Sequence, residues 1–246
     1  MVEVVESVRG RVGELVLRRD GHAYEVIENG VFLMDTRNGE SERLLVTGAL
    51  TPGASVLIGG LGVGFSLRAA LDAGAASVVV VEREPAVIAW NREGPLRTVH
   101  GDALADPRVR LVETDLVPWL ASTSDRFDAL CLDVDNGPEW TVTESNAALY
   151  SDAGLARLAE LLNPGGVLAV WSAGAAPEFA TRLRTHFASV REVPVEVPRG
   201  EPDVLWFARN QRSRRTPPGA TCSAAESSAR LPGRAPRARR STSRTP

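Results

Sequence analysis

The chain contains no lysine, and all 28 of its basic residues, among 246 in total, are arginines. With abundant alanine, valine, glycine and proline, this usage indicates a GC-rich coding sequence, which is a bias of origin and not a function. Cysteine is scarce, since only Cys131 and Cys222 occur, so no disulfide framework is predicted. Cys131 lies in an apolar run, where a small buried hydrophobic residue is expected.

Long hydrophobic runs are also absent. No apolar segment approaches the ~18–20 residues that span a bilayer, and the N-terminal MVEVVESVRG lacks the basic and then apolar pattern of a signal peptide. His22, His100 and His186 are too scattered for metal-ligand spacing, and no serine-centred nucleophile elbow occurs. We therefore expect a cytoplasmic protein that has no membrane partner and no metal.

Charge is unevenly distributed. Residues 1–210 carry 19 arginines and 30 acids, a net charge of −11, whereas residues 211–246 carry nine arginines and one acid, a net charge of +8. The acidic body argues against a nucleic-acid-binding face. The tail has few apolar residues to bury, so we expect it to be disordered, and any nucleic-acid binding is expected only through it.

Two patterns of hydrophobic residues divide the body. Alternation at 13–35, punctuated by glycine turns, predicts an antiparallel meander, with a short helix at 41–50. From Ser55, strands separated by helical segments predict an α/β fold with a mostly parallel sheet. The predicted domains are therefore a meander at 1–50, a Rossmann-like domain at 51–210 and a tail at 211–246. The predicted strands are 55–59, 77–82, 109–113, 127–133 and 166–171, with 189–196 and 203–208 as an antiparallel edge; the predicted helices are 64–73, 85–92, 115–121, 152–162 and 177–187.

The segment SVLIGGLGVG at 55–64 carries the strongest functional signal. A strand runs into clustered glycines, a helix follows, and a second strand, SVVVVE, ends on an acid. This order is typical of nucleotide-binding α/β folds, because glycines let the backbone approach a ligand and the acid accepts hydrogen bonds from ribose hydroxyls. It predicts binding of an adenosine-type ligand by Gly60, Gly62, Gly64 and Glu82.

Further acids follow the next two predicted strands. Asp115 is suited either to accept a hydrogen bond from an adenine amine or to cap the following helix, and the two roles are compatible. Asp133 and Asp135 end the fourth strand, at the edge of the sheet where ligands of such folds bind. There a carboxylate can orient or deprotonate an amine, although an Asp–Asn–Gly–Pro turn explains the same residues structurally. Trp140 and Tyr150 follow in a loop, where each could wall a pocket or simply pack.

At this point the chain resembles the spermidine synthase family, the polyamine aminopropyltransferases, within the class I methyltransferase fold. The resemblance covers roughly residues 13–208. Its motifs are VLIGGLGVG, SLRAAL, VVVVEREPAVI, DPRV, FDALCLD and LNPGGVLAV, in the family's order and spacing. It implies a Rossmann-like, mostly parallel seven-stranded sheet with an antiparallel edge, preceded by a small β-meander.

The resemblance also implies a chemistry. An adenosyl sulfonium cofactor, S-adenosylmethionine or its decarboxylated form, would lie between the glycine loop, Glu82 and Asp115. Asp133 would accept the proton of an attacking amine, and Asp135, Trp140 and Tyr150 would contact the substrate. The expected partner is a small molecule, a polyamine if the family's reaction holds, and a homodimer is left open.

The chain departs from the family pattern at three places. Val63 stands where the family's glycine loop usually carries an acid that pairs with the amine of the aminopropyl arm. The DSSDP-type loop reads DVDNGP here, with Asn136 in place of the second acid, and SERLLV at 41–46 replaces a His-containing segment.

Three functions therefore compete: aminopropyl transfer, methyl transfer from S-adenosylmethionine, and a non-catalytic nucleotide-binding scaffold. An acidic cleft would favour the first function, an apolar or flat cleft the second, and a cleft filled by Trp140 the third.

Overall fold

The structure is a computed structural model that describes residues 1–141, 144–198 and 200–211. The predicted disordered tail lies outside the described residues, except for Gln211 at its start. In the part of the chain so described, no helix has both the length and the apolar character needed to cross a membrane.

The N-terminal residues form a four-stranded antiparallel sheet in which each strand pairs with the next along the chain. The predicted meander is confirmed, but it has an additional first strand. Alternation in that strand breaks at Val4–Val5, and the structure has a register shift between Val4 and Glu6. Strict period-2 reasoning therefore missed it. The strands are β1 (Val2–Arg9), β2 (Glu14–Asp20), β3 (Ala23–Glu28) and β4 (Val31–Asp35).

The second sheet has seven strands and confirms the predicted architecture. Its members are β5 (Ser55–Gly59), β6 (Ser77–Glu82), β7 (Val109–Glu113), β8 (Phe127–Leu132), β9 (Leu162–Ser172), β10 (Ser189–Val195) and β11 (Asp203–Arg209). Their order is β10-β11-β9-β8-β5-β6-β7. Strands β5 to β9 are parallel, and β10 and β11 form the antiparallel edge.

Seven α-helices and two short 3₁₀ segments connect the described strands. The helices are α1 (Glu40–Thr47), α2 (Phe65–Asp72), α3 (Pro85–Arg92), α4 (Arg97–His100), α5 (Leu116–Ser122), α6 (Asp152–Leu161) and α7 (Pro177–His186); the 3₁₀ segments are Ala103–Ala105 and Glu144–Tyr150. Sequence reasoning missed α4 and both 3₁₀ segments, because elements this short show no hydrophobic period.

Two predicted boundaries were wrong by three residues or more, whereas the others agree to within one residue. The helix expected to reach residue 50 ends at Thr47, and Gly48 follows as its C-cap. Strand β9 begins at Leu162 and not at 166, because Leu162 already pairs with Phe127 across the sheet. A Pro-Gly-Gly sequence by itself predicts a loop, and this segment belongs to the sheet only because it lies beside β8.

The alternating side chains of the parallel strands fill a separate core on each face of the sheet. Val78 and Val80 face one cluster, which includes residues of α1, α2, α3 and the N-terminal sheet. Val79 and Val81 face the other, which includes residues of α5, α6 and α7. Because both faces are covered, the central strands are continuously apolar. Polar side chains are therefore confined to the strand ends, where the candidate site lies.

Candidate active site

A cavity of about 1240 Å³ opens beyond the carboxyl ends of β5, β6 and β8. In the sheet order β5 lies between β8 and β6, so the chain leaves β5 in one direction and β8 in the other. Ligands of open α/β sheets bind at such a reversal of strand order. One wall of the cavity comes from the N-terminal sheet, through Met34 and Asp35 of β4, and another from the start of α1.

The glycine loop forms the floor of the cavity, and its conformation requires glycine. Gly60 and Gly62 have φ angles of +87° and +55°, in the left-handed region that side chains rarely adopt. A Cβ on Gly60 would lie 2.4 Å from the Asp133 carbonyl oxygen. At Gly62 the nearest atom to such a Cβ is the Met34 sulfur at 3.5 Å, so the space above this residue is open to a ligand.

We expect Gly60→Ala to lower the free energy of unfolding by about 1–3 kcal/mol, because it adds both a strained φ and a steric clash. That corresponds to a fall in Tm of roughly 2–4 °C per kcal/mol in a domain of this size. Gly53→Ala is a matched control, since Gly53 has a φ of +84° and no atom within 4 Å of the position that a Cβ would occupy. Equal losses of Tm in the two variants would contradict the clash with Asp133.

Glu82 ends β6 and ties that strand to the glycine loop. Its side chain is buried and accepts the Leu61 N–H at 2.9 Å and the Glu84 N–H at 2.8 Å, one on each carboxylate oxygen. Burial raises the pKa of Glu82, while these hydrogen bonds act in the opposite direction. Each oxygen keeps a second lone pair, and the residue lines the cavity. A ribose contact is therefore compatible with its structural role.

A second buried side chain also fixes the position of the glycine loop. The Asn91 side chain, in α3, is fully buried and donates hydrogen bonds to the Gly62 and Val87 carbonyl oxygens, both at 2.9 Å. Sequence reasoning did not assign this role, because a side chain that acts on backbone carbonyls leaves no residue-type signal at its partners.

Asp115 combines the two roles left open by the sequence. It is the N-cap of α5, where its Oδ1 accepts the Val117 N–H at 2.9 Å. It also lines the cavity. The capping role is therefore present in the structure, and contact with an adenine amine stays a prediction.

Asp133 follows β8, and its backbone N–H donates to the Gly59 carbonyl at 3.1 Å. Its carboxylate lines the cavity and accepts no hydrogen bond from the residues that the structure describes. Burial, followed by the negative charges of Glu42 and Asp203, raises the pKa of Asp133 to about 8. A carboxyl group in that range can exchange a proton near neutral pH.

Sequence reasoning missed Glu42 and Asp203. Glu42 lies in the first turn of α1, and the Ser41 hydroxyl donates to its Oε2 at 3.0 Å. Asp203 begins β11, where the Trp171 indole N–H donates to its Oδ2 at 3.2 Å. Burial raises the pKa of both carboxyl groups. Only the pairing of β11 with β9 and the position of α1 bring these acids, 161 positions apart, to one cavity.

The chain is similar in sequence to known polyamine aminopropyltransferases. The chain is 34% identical over 143 residues to polyamine aminopropyltransferase 1 of Streptomyces coelicolor, which is 57% of this chain and 26% of that protein. It is also 34% identical over 163 residues to a polyamine aminopropyltransferase of Mycobacterium tuberculosis, which is 64% of this chain and 30% of that protein. The matched part thus spans under a third of each relative. No family model matches the chain.

Solved structures share its fold. Spermidine synthase from Thermotoga maritima superposes with a TM-score of 0.66 at 17% identity, over 84% of this chain and 72% of that one. A spermidine synthase in complex with the transition state analogue AdoDATO gives 0.67 at 18% identity, over 84% of this chain and 73% of that one. The chain has the spermidine synthase fold. The resemblance that the motifs indicated is thereby confirmed.

The structure shows where the residues that depart from the spermidine synthase pattern lie. Val63 is 3% exposed and belongs to the hydrophobic core, although it borders the cavity. The glycine loop therefore offers no carboxylate at this place. The SERLLV segment, in contrast, brings Ser41 and Glu42 to the cavity wall.

The predicted substrate residues separate into two groups. Asp135 and Trp140 line the cavity, and Trp140 is 63% exposed, so its ring does not fill the space. Tyr150, which was expected to contact the substrate, does not line the cavity. It is 3% exposed, because the 3₁₀ segment turns its ring into the core, edge-on to Phe179 with ring centroids 5.5 Å apart.

The cavity is strongly acidic. Eleven carboxylates line it against two guanidiniums, those of Arg37 and Arg83. Arg37 pairs with acids of the N-terminal sheet, including Asp35 at 2.6 Å, and Arg83 pairs with Glu28 at 3.2 Å. Within the described ranges, no group of three or more His, Cys, Asp or Glu side chains has an arrangement that could hold a metal ion.

Proposed function

We propose that this protein transfers an aminopropyl group from decarboxylated S-adenosylmethionine to a primary amine of a polyamine. The acidity of the cavity carries the proposal. A polycationic amine loses its hydration on entering a pocket and needs carboxylates to replace it. An apolar cleft would have favoured methyl transfer, and a cleft closed by Trp140 would have favoured a scaffold.

The residues present fit an adenosyl ligand. The space above Gly62 is one that a side chain would fill, and Glu82 supplies a carboxylate at the end of β6. Asp115 supplies an acceptor at the end of the next strand. When bound, the sulfonium group of the donor supplies an electrophilic carbon and a good leaving group.

Asp133 is the proposed proton acceptor. An amine nucleophile is protonated at neutral pH and must lose a proton before it attacks. A pKa of about 8 leaves Asp133 largely protonated at neutral pH in the ligand-free protein, and a bound ammonium favours its ionised form. The ionised carboxylate can then take the amine's proton, and its raised pKa makes it a stronger base than an exposed aspartate. The remaining contribution of the cavity is alignment of the two reactants.

The decarboxylated donor is preferred on electrostatic grounds. Unmodified S-adenosylmethionine carries a carboxylate on the arm that points away from its adenosine. In this cavity that carboxylate would meet the acids around Asp133 and no unpaired arginine among the described residues. Repulsion between like charges therefore disfavours the carboxylated form.

Calorimetry with three ligands tests the proposal. Methylthioadenosine and decarboxylated S-adenosylmethionine should both bind, and S-adenosylmethionine should bind at least about tenfold more weakly, a difference of ~1.4 kcal/mol. Addition of 1,4-diaminobutane with the decarboxylated donor should release methylthioadenosine. Tighter binding of S-adenosylmethionine together with methylation of an acceptor would support the methyltransferase alternative. Binding without turnover of any acceptor would support the scaffold.

A further inference from the structure

Two partly buried carboxylates, those of Glu42 and Asp203, line the cavity together with Asp133. The Ser41 side chain is 5% exposed, and its hydroxyl donates to the Glu42 carboxylate at 3.0 Å. A hydroxyl carries a single proton and donates it to one acceptor at a time. While Glu42 accepts that proton, the hydroxyl is not available as a donor to Asp203. A bound cation would stabilise the ionised forms of these partly desolvated carboxyl groups, whose pKa values burial raises.

No arginine of the described residues forms an ion pair with Glu42, Asp133 or Asp203. The Arg43 charge nevertheless acts on Glu42 to lower its pKa, against the larger effect of burial. Arg43, adjacent in sequence to Glu42, places its guanidinium 4.3 Å from the centre of the Phe65 ring. The indole N–H of Trp171 donates to Asp203, but it is neutral. The three acids therefore form an acidic corner of the cavity that has no ion-pair partner among the described residues.

We propose that Glu42 and Asp203 hold a primary ammonium group beside Asp133, so that α1 and β11 supply the charge that the glycine loop, with Val63, does not. This inference rests on the proposed function. A primary ammonium has three N–H donors in a compact head. Acceptors on three separate elements, α1, β8 and β11, can surround such a head. Glu42 and Asp203 are thus positioning residues that act on the ligand's charged end.

Two sources of this ammonium share the same chemistry. It belongs either to the aminopropyl arm of the donor or to the far end of a diamine acceptor. In both cases the acids bind a group that methylthioadenosine lacks. Methylthioadenosine therefore serves as an internal reference, since it occupies the adenosine end of the cavity alone.

The test compares Glu42→Gln with Glu40→Gln. Both residues lie in the first turn of α1, but Glu40 is exposed and is not part of the cavity wall. We expect Glu42→Gln to leave methylthioadenosine affinity within about twofold. If the donor arm is the source, affinity for decarboxylated S-adenosylmethionine falls by about 10-fold or more, the usual loss for a hydrogen bond to a charged group. If the acceptor is the source, that affinity is kept and the KM for 1,4-diaminobutane rises by a similar factor.

Asp203→Asn should shift the same quantity in the same direction, and Glu40→Gln should shift none. The inference is overturned if Glu42→Gln and Asp203→Asn leave donor affinity and acceptor KM both within twofold of wild type. It is also overturned if methylthioadenosine affinity falls as much as donor affinity, since Glu42 would then act on the shape of the whole cavity. A wild-type protein that binds none of the adenosyl ligands would instead overturn the proposed function, and this inference with it.

Discussion

Asp133→Asn is expected to lower turnover by about 100-fold or more, the usual scale for loss of a general acid or base. The substitution keeps the shape of the side chain and removes the charge that would attract and deprotonate the amine. Methylthioadenosine affinity should change by less than about threefold, because Glu82 and Asp115 are the residues proposed to hold the adenosine. Steady-state kinetics after an acceptor has been found, with calorimetry on the same samples, measures both. Full turnover in the variant would show that Asp133 is not the proton acceptor and has only a structural role in its turn.

The same substitution should stabilise the ligand-free protein. Burial and the neighbouring acids raise the pKa of Asp133 to about 8, whereas an unfolded aspartate titrates near ~3.9. Between pH ~3.9 and about 8 the folded state holds a proton on Asp133 that the unfolded state has lost. The free energy of unfolding therefore falls as the pH rises through this range, and the destabilisation by Asp133 is complete above about pH 8. Asparagine removes this dependence.

At pH 8 we therefore expect a higher Tm for Asp133→Asn than for wild type, by at least roughly 2–4 °C, which corresponds to about 1 kcal/mol. The difference should shrink toward pH 5. Asp102→Asn provides the control, since Asp102 is exposed and pairs with Arg97 on the surface. A Tm difference that does not vary with pH would contradict the assignment of the raised pKa to this residue.

Glu82→Ala is expected to weaken methylthioadenosine binding by about 1.5–3 kcal/mol, or roughly 10- to 150-fold, because it removes a charged acceptor. In this structure the loss has two components. The alanine removes the proposed ribose contact, and it also leaves the Leu61 N–H of the glycine loop without its acceptor. Calorimetry with methylthioadenosine, together with a thermal melt of the same variant, measures both effects.

Glu113→Ala is the matched control. Glu113 pairs in register with Glu82 on the neighbouring strand, but it is exposed, and its ion-pair partner is Arg11. Its loss should leave ligand affinity within about twofold. Equal affinities for Glu82→Ala and wild type would contradict the assignment of the ribose to Glu82.

The fold and the placement of the glycine loop, Glu82 and Asp115 at one cavity were predictable from the sequence. Strand β5, the glycine loop, α2 and β6 follow one another along the chain, so their order and hydrophobic periods are visible in one segment. Glu82 and Asp115 each end or follow such a strand. Strands β10 and β11 were equally visible, because each alternates or runs apolar over seven residues between turn signals.

Other features could not be predicted from the local sequence. The bulge near Val5 hides the period of β1, and the Pro-Gly-Gly sequence after Leu162 hides the start of β9. Tyr150 was expected near the pocket because it follows Trp140 in the chain, yet the 3₁₀ segment turns it toward Phe179. Sequence distance does not specify which way a short turn points a side chain.

By itself, the sequence determined most of the strands of the two sheets, the alternation of strands and helices along the chain and the glycine loop, because these depend on local propensity and on periods of two or 3.6 residues. Only the tertiary structure decided which acids share the cavity. Glu42, Asp133 and Asp203 come from α1, the end of β8 and the start of β11, and no spacing rule links them. They lie together because β11 pairs with β9 and α1 packs beside it, and because desolvation and mutual repulsion act through space and not along the chain.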